Sequence, residues 1–286
     1  MARLKGNTSL ASFRAAALPF ALILSAGLVL GSCSRDKDVD ITTLKYESDP
    51  PQQLYDEALA NINAGKTSEA LRKFKAVQDQ SPLSDYARKA LVMQTYIQYS
   101  SRKYEAAVTS GQRYLDLYPN SEDAAYVQFL VGQSYSKQIV NVTQDQSFAE
   151  STIAAMQTLI DKYPDSEYVP QARAQIRYAR DQIAGKDMQI GRYYLERKDY
   201  LAAISRFDSV VDDYSDTNQI EEALYRLVEA YYAMGIVSEA QNAAWVLGRN
   251  YPDSKWYDRA YSLLNKKGLE PQSAGRGSDV SSVTNR

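Results

Sequence analysis

Apolar and polar positions alternate along most of this chain with the spacing of amphipathic helices. The clearest stretch runs from Glu222 to Trp256. Leu224, Leu227 and Tyr231 fall on one face of a first helix of about a dozen residues. Gly235 breaks the pattern, and a second apolar run extends from Ile236 to Leu247. Tyr251-Pro252-Asp253-Ser254 follows, and the proline ends that helix because it has no N–H and its ring clashes with the preceding turn. Small Ala240 allows the second helix to approach the first, while the large residues fill the space between neighbouring hairpins.

The same frame recurs upstream. It reads Ala58, Gly65, Ala70, Phe74, Val77 and Pro82 in a first copy, and Tyr104, Ala107, Tyr118 and Pro119 in a second. A fourth copy carries Ile190-Gly191-Arg192-Tyr193-Tyr194, then Tyr200, Ala203, Phe207, Val210 and Tyr214. The third is split: Val131-Gly132-Gln133-Ser134-Tyr135 supplies its first helix and Ile153, Met156, Leu159, Tyr163 and Pro164 its second, with roughly eight extra residues between them. A unit of about 34 residues with small, large and proline positions in this order is the tetratricopeptide pattern. The fold class is therefore all-α, an α-solenoid of five helix–turn–helix repeats. Helices are predicted at about 52–64, 67–80, 83–100, 104–118, 122–138 and 148–163. An apolar, Arg-rich helix over 165–188 is expected to run into the fourth repeat as one long strut, with Gly185 a place to bend or end it.

Residues 1–32 read as a signal peptide. Arg3, Lys5 and Arg14 precede an apolar run from Ala15 to Leu30 that is short for a membrane span and contains Pro19 and Gly27. It closes on Leu30-Gly31-Ser32-Cys33, which resembles a bacterial lipobox with Cys33 as the lipidated residue. Residues 33–50 are then a polar lipidated tether, and acyl chains gaining about 0.8 kcal/mol per buried CH₂ would hold the protein on a bilayer. Ser34, not aspartate, follows the cysteine, which in lipoproteins of this kind points to the outer membrane. Residues 51–164 and 165–267 carry repeats one to three and four to five, and the Ser-, Gly- and Pro-rich residues 268–286 are expected to be a disordered tail.

Composition narrows the chemistry. Without the signal's three cations the chain has 30 basic and 35 acidic residues, a net charge of −5, which leaves no basic footprint for nucleic acid. There is no histidine, which excludes His-based triads and His-ligated metals, and the single cysteine excludes an internal disulfide. No metal site and no cofactor beyond the lipid on Cys33 are expected. Acid clusters such as Asp212-Asp213 and Glu221-Glu222 lie near helix ends and read as solvated surface. A carboxylate-dependent glycan hydrolase on a helical scaffold stays as a remote alternative.

Taken together, the lipobox, the five repeats, the insertion in the third and the recurring Tyr-Pro-x-Ser ending (at Tyr118, Tyr163 and Tyr251) resemble the BamD family. These are the lipoprotein subunits of the outer-membrane β-barrel assembly machine. Asp145-Gln146-Ser147 is similar to an Asp-Gln that follows the insertion in that family. The likeness spans roughly residues 30–260, although the first repeat ends in Ser81-Pro82 and the fourth in Tyr214-Ser215. The resemblance implies a non-enzymatic scaffold, lipid-anchored on the periplasmic face of the outer membrane. Its first three repeats would receive unfolded outer-membrane proteins. Its last two would dock a POTRA domain of the barrel subunit BamA, alongside other lipoproteins of the machine. Another periplasmic repeat lipoprotein, pilotin-like or a cell-division coordinator, is the alternative within the same class.

Two candidate surfaces follow. In a tetratricopeptide array the first helix of each repeat lines the concave face, which points Tyr55, Leu59, Val92, Tyr96, Tyr99, Tyr126, Phe129 and Lys137 toward it. Aromatic side chains with one cation suit an extended aromatic-rich peptide and its terminal carboxylate. Arg206 sits beside the apolar stripe of its helix with Asp199, Asp208, Asp212, Asp213 and Asp216 nearby in sequence. With Tyr225, Arg226 and Trp256 it is the candidate docking surface.

Overall fold

The computed structural model describes residues 49–273. The signal peptide, Cys33, nearly all of the tether and residues 274–286 lie outside the described residues. Among the described residues eleven helices follow one another: α1 (Pro51–Asn63), α2 (Thr67–Gln80), α3 (Asp85–Ser100), α4 (Tyr104–Leu117), α5 (Ala124–Ser136), α6 (Ser147–Lys162), α7 (Val169–Glu196), α8 (Tyr200–Asp213), α9 (Ile220–Ala233), α10 (Val237–Asn250) and α11 (Lys255–Asn265). Among the described residues there is no strand. Each helix packs on the next, and the odd-numbered helices also touch in sequence from α1 to α11. That second set of contacts is what aligns the first helices of successive repeats along one face.

The turn inside each hairpin is built the same way in four repeats. The N–H groups of Gly65 and Lys66 turn back to the carbonyls of Ile62 and Asn61, the paired bonds of a Schellman motif. Arg102, Lys198 and Gly235 repeat this geometry after α3, α7 and α9, each at positive φ. Glycine adopts that conformation freely, whereas the Cβ of Arg102 (φ +60°) and of Lys198 (φ +63°) crowds the following carbonyl. Between hairpins the signals differ. Ser84 and Ser254 accept the N–H of Ala87 and Trp256, each at 3.1 Å, and so cap α3 and α11.

Small residues set the approach of paired helices. Ala58, Ala70, Ala107, Ala203 and Ala240 are fully buried. At Gly191 the fit leaves no room for a side chain: an added Cβ would stand 2.4 Å from Phe207 Cε1. The Tyr-Pro endings tie one repeat to the next, since the Tyr163 hydroxyl donates to the Pro119 carbonyl at 2.8 Å and that of Tyr118 to Pro82 at 3.3 Å.

The long strut forms as α7, of 28 residues, and runs on through Gly185. Instead the glycine makes room for the insertion of the third repeat: an added Cβ would lie 2.9 Å from Val142 Cγ1. Lys186 Nζ donates to the Gln144 carbonyl at 3.1 Å beside it. Ala172 of α7 belongs to a core with Met156 and Leu159, and Ala184 and Met188 belong to the large core of α8 to α11. Two features depart from the sequence reading. α11 was not anticipated, and it closes the array by burying Ala260 and Leu264. The tail was expected to be disordered from residue 268, yet Leu269 packs on the core and its N–H bonds the Leu264 carbonyl at 3.2 Å.

Glycine at the two strained turns should raise stability. Arg102→Gly and Lys198→Gly are each expected to gain roughly 1 kcal/mol from relief of the left-handed backbone, seen as a higher thermal midpoint. A midpoint that falls in both would show that the side chains carry contacts outweighing the strain.

Candidate binding surfaces

The concave candidates divide. Tyr126 and Phe129 come together through Tyr168, which the sequence places only in the apolar helix, and Tyr96 and Tyr99 lie close to Tyr126. The Tyr168 ring stacks on Phe129 at 4.9 Å and tilts against Tyr126 at 5.6 Å. The Tyr126 hydroxyl is pushed up to about 12, first by burial and then by Tyr96, Tyr168 and Tyr99 around it. It therefore remains a neutral donor across the physiological range. Tyr96 is exposed, 43% of its surface open. The others are half-buried, so the cluster offers ring faces and edges over α3, α5 and the start of α7.

Tyr55 and Leu59 do not join it. Tyr55 packs edge-on against Phe74 at 5.4 Å and against Tyr86 at 5.7 Å, inside the first hairpin's core with Leu59. Val92 is buried with Leu91 and Tyr114 and offers no surface to a ligand. Lys137 is exposed at the far end of α5. Its neighbour Ser136 donates to Gln175 Oε1 at 2.6 Å, which fixes that end against α7.

The second candidate surface is a charged aromatic group. The Trp256 ring lies 5.3 Å from Tyr225, with the guanidinium of Arg259 at 4.7 Å, the Lys255 ammonium at 5.1 Å and the Arg226 guanidinium at 5.6 Å. Cations placed over an indole are held by its quadrupole. Arg226 is also fixed by Glu229 at 2.7 Å and Glu222 at 3.1 Å, and Arg192 reaches the same Glu222 at 3.2 Å. Glu221 accepts from Ser254 Oγ at 2.5 Å. The pair Glu221-Glu222, read from sequence as solvated, is thus half-buried and bound. Arg206 is not paired with the acids near it in sequence; it donates to Asp187 of α7 at 3.0 Å. Its side chain is 47% exposed, so the pair contributes only about 0–1 kcal/mol. Among the described residues no cluster of three or more His, Cys, Asp or Glu could hold a metal ion, and no helix is long and apolar enough to cross a membrane.

A family model described as YfiO, an outer membrane lipoprotein, matches residues 47–247, from just before α1 into the last turn of α10. The chain belongs to the YfiO family of outer membrane lipoproteins. It is 38% identical over 255 residues to a protein of Caulobacter vibrioides named outer membrane protein assembly factor BamD, covering 89% of this chain and 83% of that one. A Rickettsia prowazekii protein of the same name is 37% identical over 243 residues, covering 85% and 94%. One from Xylella fastidiosa is 29% identical over 248 residues, covering 82% and 83%. A solved tetratricopeptide protein of Thermus thermophilus overlaps loosely, with 16% identity, a TM-score of 0.33, and coverage of 76% of this chain and all of that one.

One group in this YfiO-family array titrates near neutrality. Asp208, half-buried on α8, is raised to about 6, first by burial and then by Asp212, with Tyr231 opposing as a donor and Glu239 of α10 adding. The folded pKa lies above the ordinary value, so the folded state binds the proton more tightly. Asp208 thus favours folding when protonated, and that advantage is lost as pH rises from about 4 through about 6. Asp208→Asn should raise the thermal midpoint at pH 7.5, with the gap to wild type narrowing toward pH 4. A gap that stays constant with pH would place the effect in packing.

Proposed function

We propose that this chain is an outer membrane protein assembly factor that works by holding rather than by catalysis. Lipidated at Cys33, it would sit on the periplasmic face of the outer membrane. It would receive extended segments of unfolded outer-membrane proteins on Tyr96, Tyr99, Tyr126, Phe129 and Tyr168. It would dock a POTRA domain of a BamA-like barrel subunit through the Trp256 group and Arg206, beside the other lipoproteins of the machine.

The observation that supports the reading is the aromatic group of Tyr126, Phe129 and Tyr168, which joins α5 to the start of α7, with Tyr96 and Tyr99 of α3 close to Tyr126. Rings stacked in this way bind a mobile chain at low entropic cost, because each has few rotatable bonds and is already held by its neighbours. From Tyr126 to Lys137 is about 16 Å along α5, the span of about five extended residues. A peptide with aromatic side chains on the rings would bring its terminal carboxylate to the exposed ammonium. At the other surface, a half-buried Trp flanked by cations has the composition of an interface centre.

Peptides from the C-termini of β-barrel proteins, titrated by fluorescence anisotropy, should bind the Tyr96→Ala/Tyr126→Ala protein about tenfold more weakly, a loss of about 1.4 kcal/mol. Helical circular dichroism should be retained. Unchanged affinity would remove the substrate role from this face. Separately, Trp256→Ala should release a purified POTRA domain in pull-down by a similar factor without touching peptide affinity. Full retention of that domain by the folded variant would move the docking surface elsewhere.

A further inference from the structure

The third repeat differs from the others by its insertion, and the insertion begins where the aromatic group on α5 gives way to Lys137. Tyr126, Gln133 and Lys137 follow one another at spacings that place them on one face of α5. That stripe starts among Tyr96, Tyr99 and Tyr168. At its end the Lys137 ammonium is exposed and has no ion pair or hydrogen bond among the described residues. Beyond it the inserted residues 139–146 carry on along α7. Ser136 donates to Gln175 of α7 at 2.6 Å, and Val142 rests on Gly185, about 15 Å further along the same helix. Lys186 Nζ holds the Gln144 carbonyl at 3.1 Å. From within, Gln146, only 8% exposed, donates its Nε2 to the Gln144 carbonyl at 2.9 Å and to the Asn141 carbonyl at 3.4 Å. The Thr143 N–H donates to Asn141 Oδ1 at 3.0 Å. The loop is thus fixed from α7 on one side and by a buried amide on the other.

We propose that this insertion is the end wall of the aromatic surface, so that the site takes the free C-terminus of an extended chain and excludes a segment from a chain's middle. The wall has this role only if that surface receives substrate, as proposed above. A chain lying along α5 with its side chains on Tyr126 and Phe129 passes the Gln133 amide, which is half-buried, without a partner among the described residues and able to pair with a main chain. It then reaches Lys137. A chain that ends there sets its carboxylate against an unpaired ammonium, a charge-assisted bond. A chain that continues meets the loop. It must either leave the surface or lift Val142 from Gly185, and Val140, 55% exposed, offers its peptide groups no polar partner. The same valine suits the apolar side chain of a last residue. An insertion that merely lengthened a turn would need neither a glycine on the neighbouring helix to seat it nor a buried glutamine to brace it.

The test titrates the full-length chain, by fluorescence anisotropy, with a peptide from the C-terminus of a β-barrel protein labelled at its N-terminus. The peptide is made with a free carboxylate, with a terminal amide, and with a short glycine–serine extension after its last residue. Wild type should bind the free-carboxylate form about tenfold more tightly than either of the others. Lys137→Ala should remove the preference over the amide and still exclude the extended form. Gly185→Leu, whose side chain needs the space of Val142, should admit the extended form and keep the preference over the amide. Should Gly185→Leu unfold the array, the wild-type comparison still decides. Equal binding of the free and extended forms by wild type overturns the proposal, as does their continued discrimination by a folded Gly185→Leu protein. If Tyr96→Ala/Tyr126→Ala leaves the binding of every form unchanged, the aromatic surface is not the receiver and the wall falls with it, an outcome distinct from a groove that binds but does not read the terminus.

Discussion

Everything in this array follows from how closely the two helices of a hairpin can approach. Protein interiors are packed as densely as organic crystals, so one methylene at a crossing point is felt. The Phe207 ring occupies the space a Cβ on Gly191 would need, and the buried alanines of the other hairpins serve the same purpose with a methyl group. Once each pair is close, its outer faces remain apolar and can be covered only by the next pair. Stacking is therefore the condition for stability rather than an addition to it. The tyrosine hydroxyls that reach back to Pro82 and Pro119 then set the spacing between pairs.

The helices were legible because the constraint is written as residue size at fixed intervals. The break residues did the rest, and the Schellman turns occur where glycine or an exposed cation ends a helix. What escaped lay beyond the last full repeat. α11 has no second helix to complete its frame, so repeat counting stopped at Trp256, although Ser254 caps it just as Ser84 caps α3. The segment after Gly268 escaped for a related reason. A Gly-Leu-Glu-Pro segment has the composition of a tail, and only the position of Gln241 on another helix makes it bind.

The candidate surfaces were legible in part. The helix frame names which positions face the concave side, but not how far a side chain is covered by the neighbouring repeat. That is why Val92 and Tyr55 proved to be packing residues while Tyr168 emerged as the centre of the aromatic group. Charge was harder still. The acids near Arg206 in sequence do not pair with it, and its partner, Asp187, comes from α7, which only the register between α7 and α8 reveals.

The unbroken course of α7 has a mechanical meaning. At 1.5 Å per residue its 28 residues form a rod of about 42 Å. Tyr168 stands at its start among the aromatic rings, and Asp187 and Arg192 near its end hold Arg206 and Glu222. Its two glycines are both packed, Gly185 against Val142 and Gly191 against Phe207. A rod so braced does not absorb displacement. A tilt imposed at one end is thus carried toward the other along a single helix rather than lost in a loop.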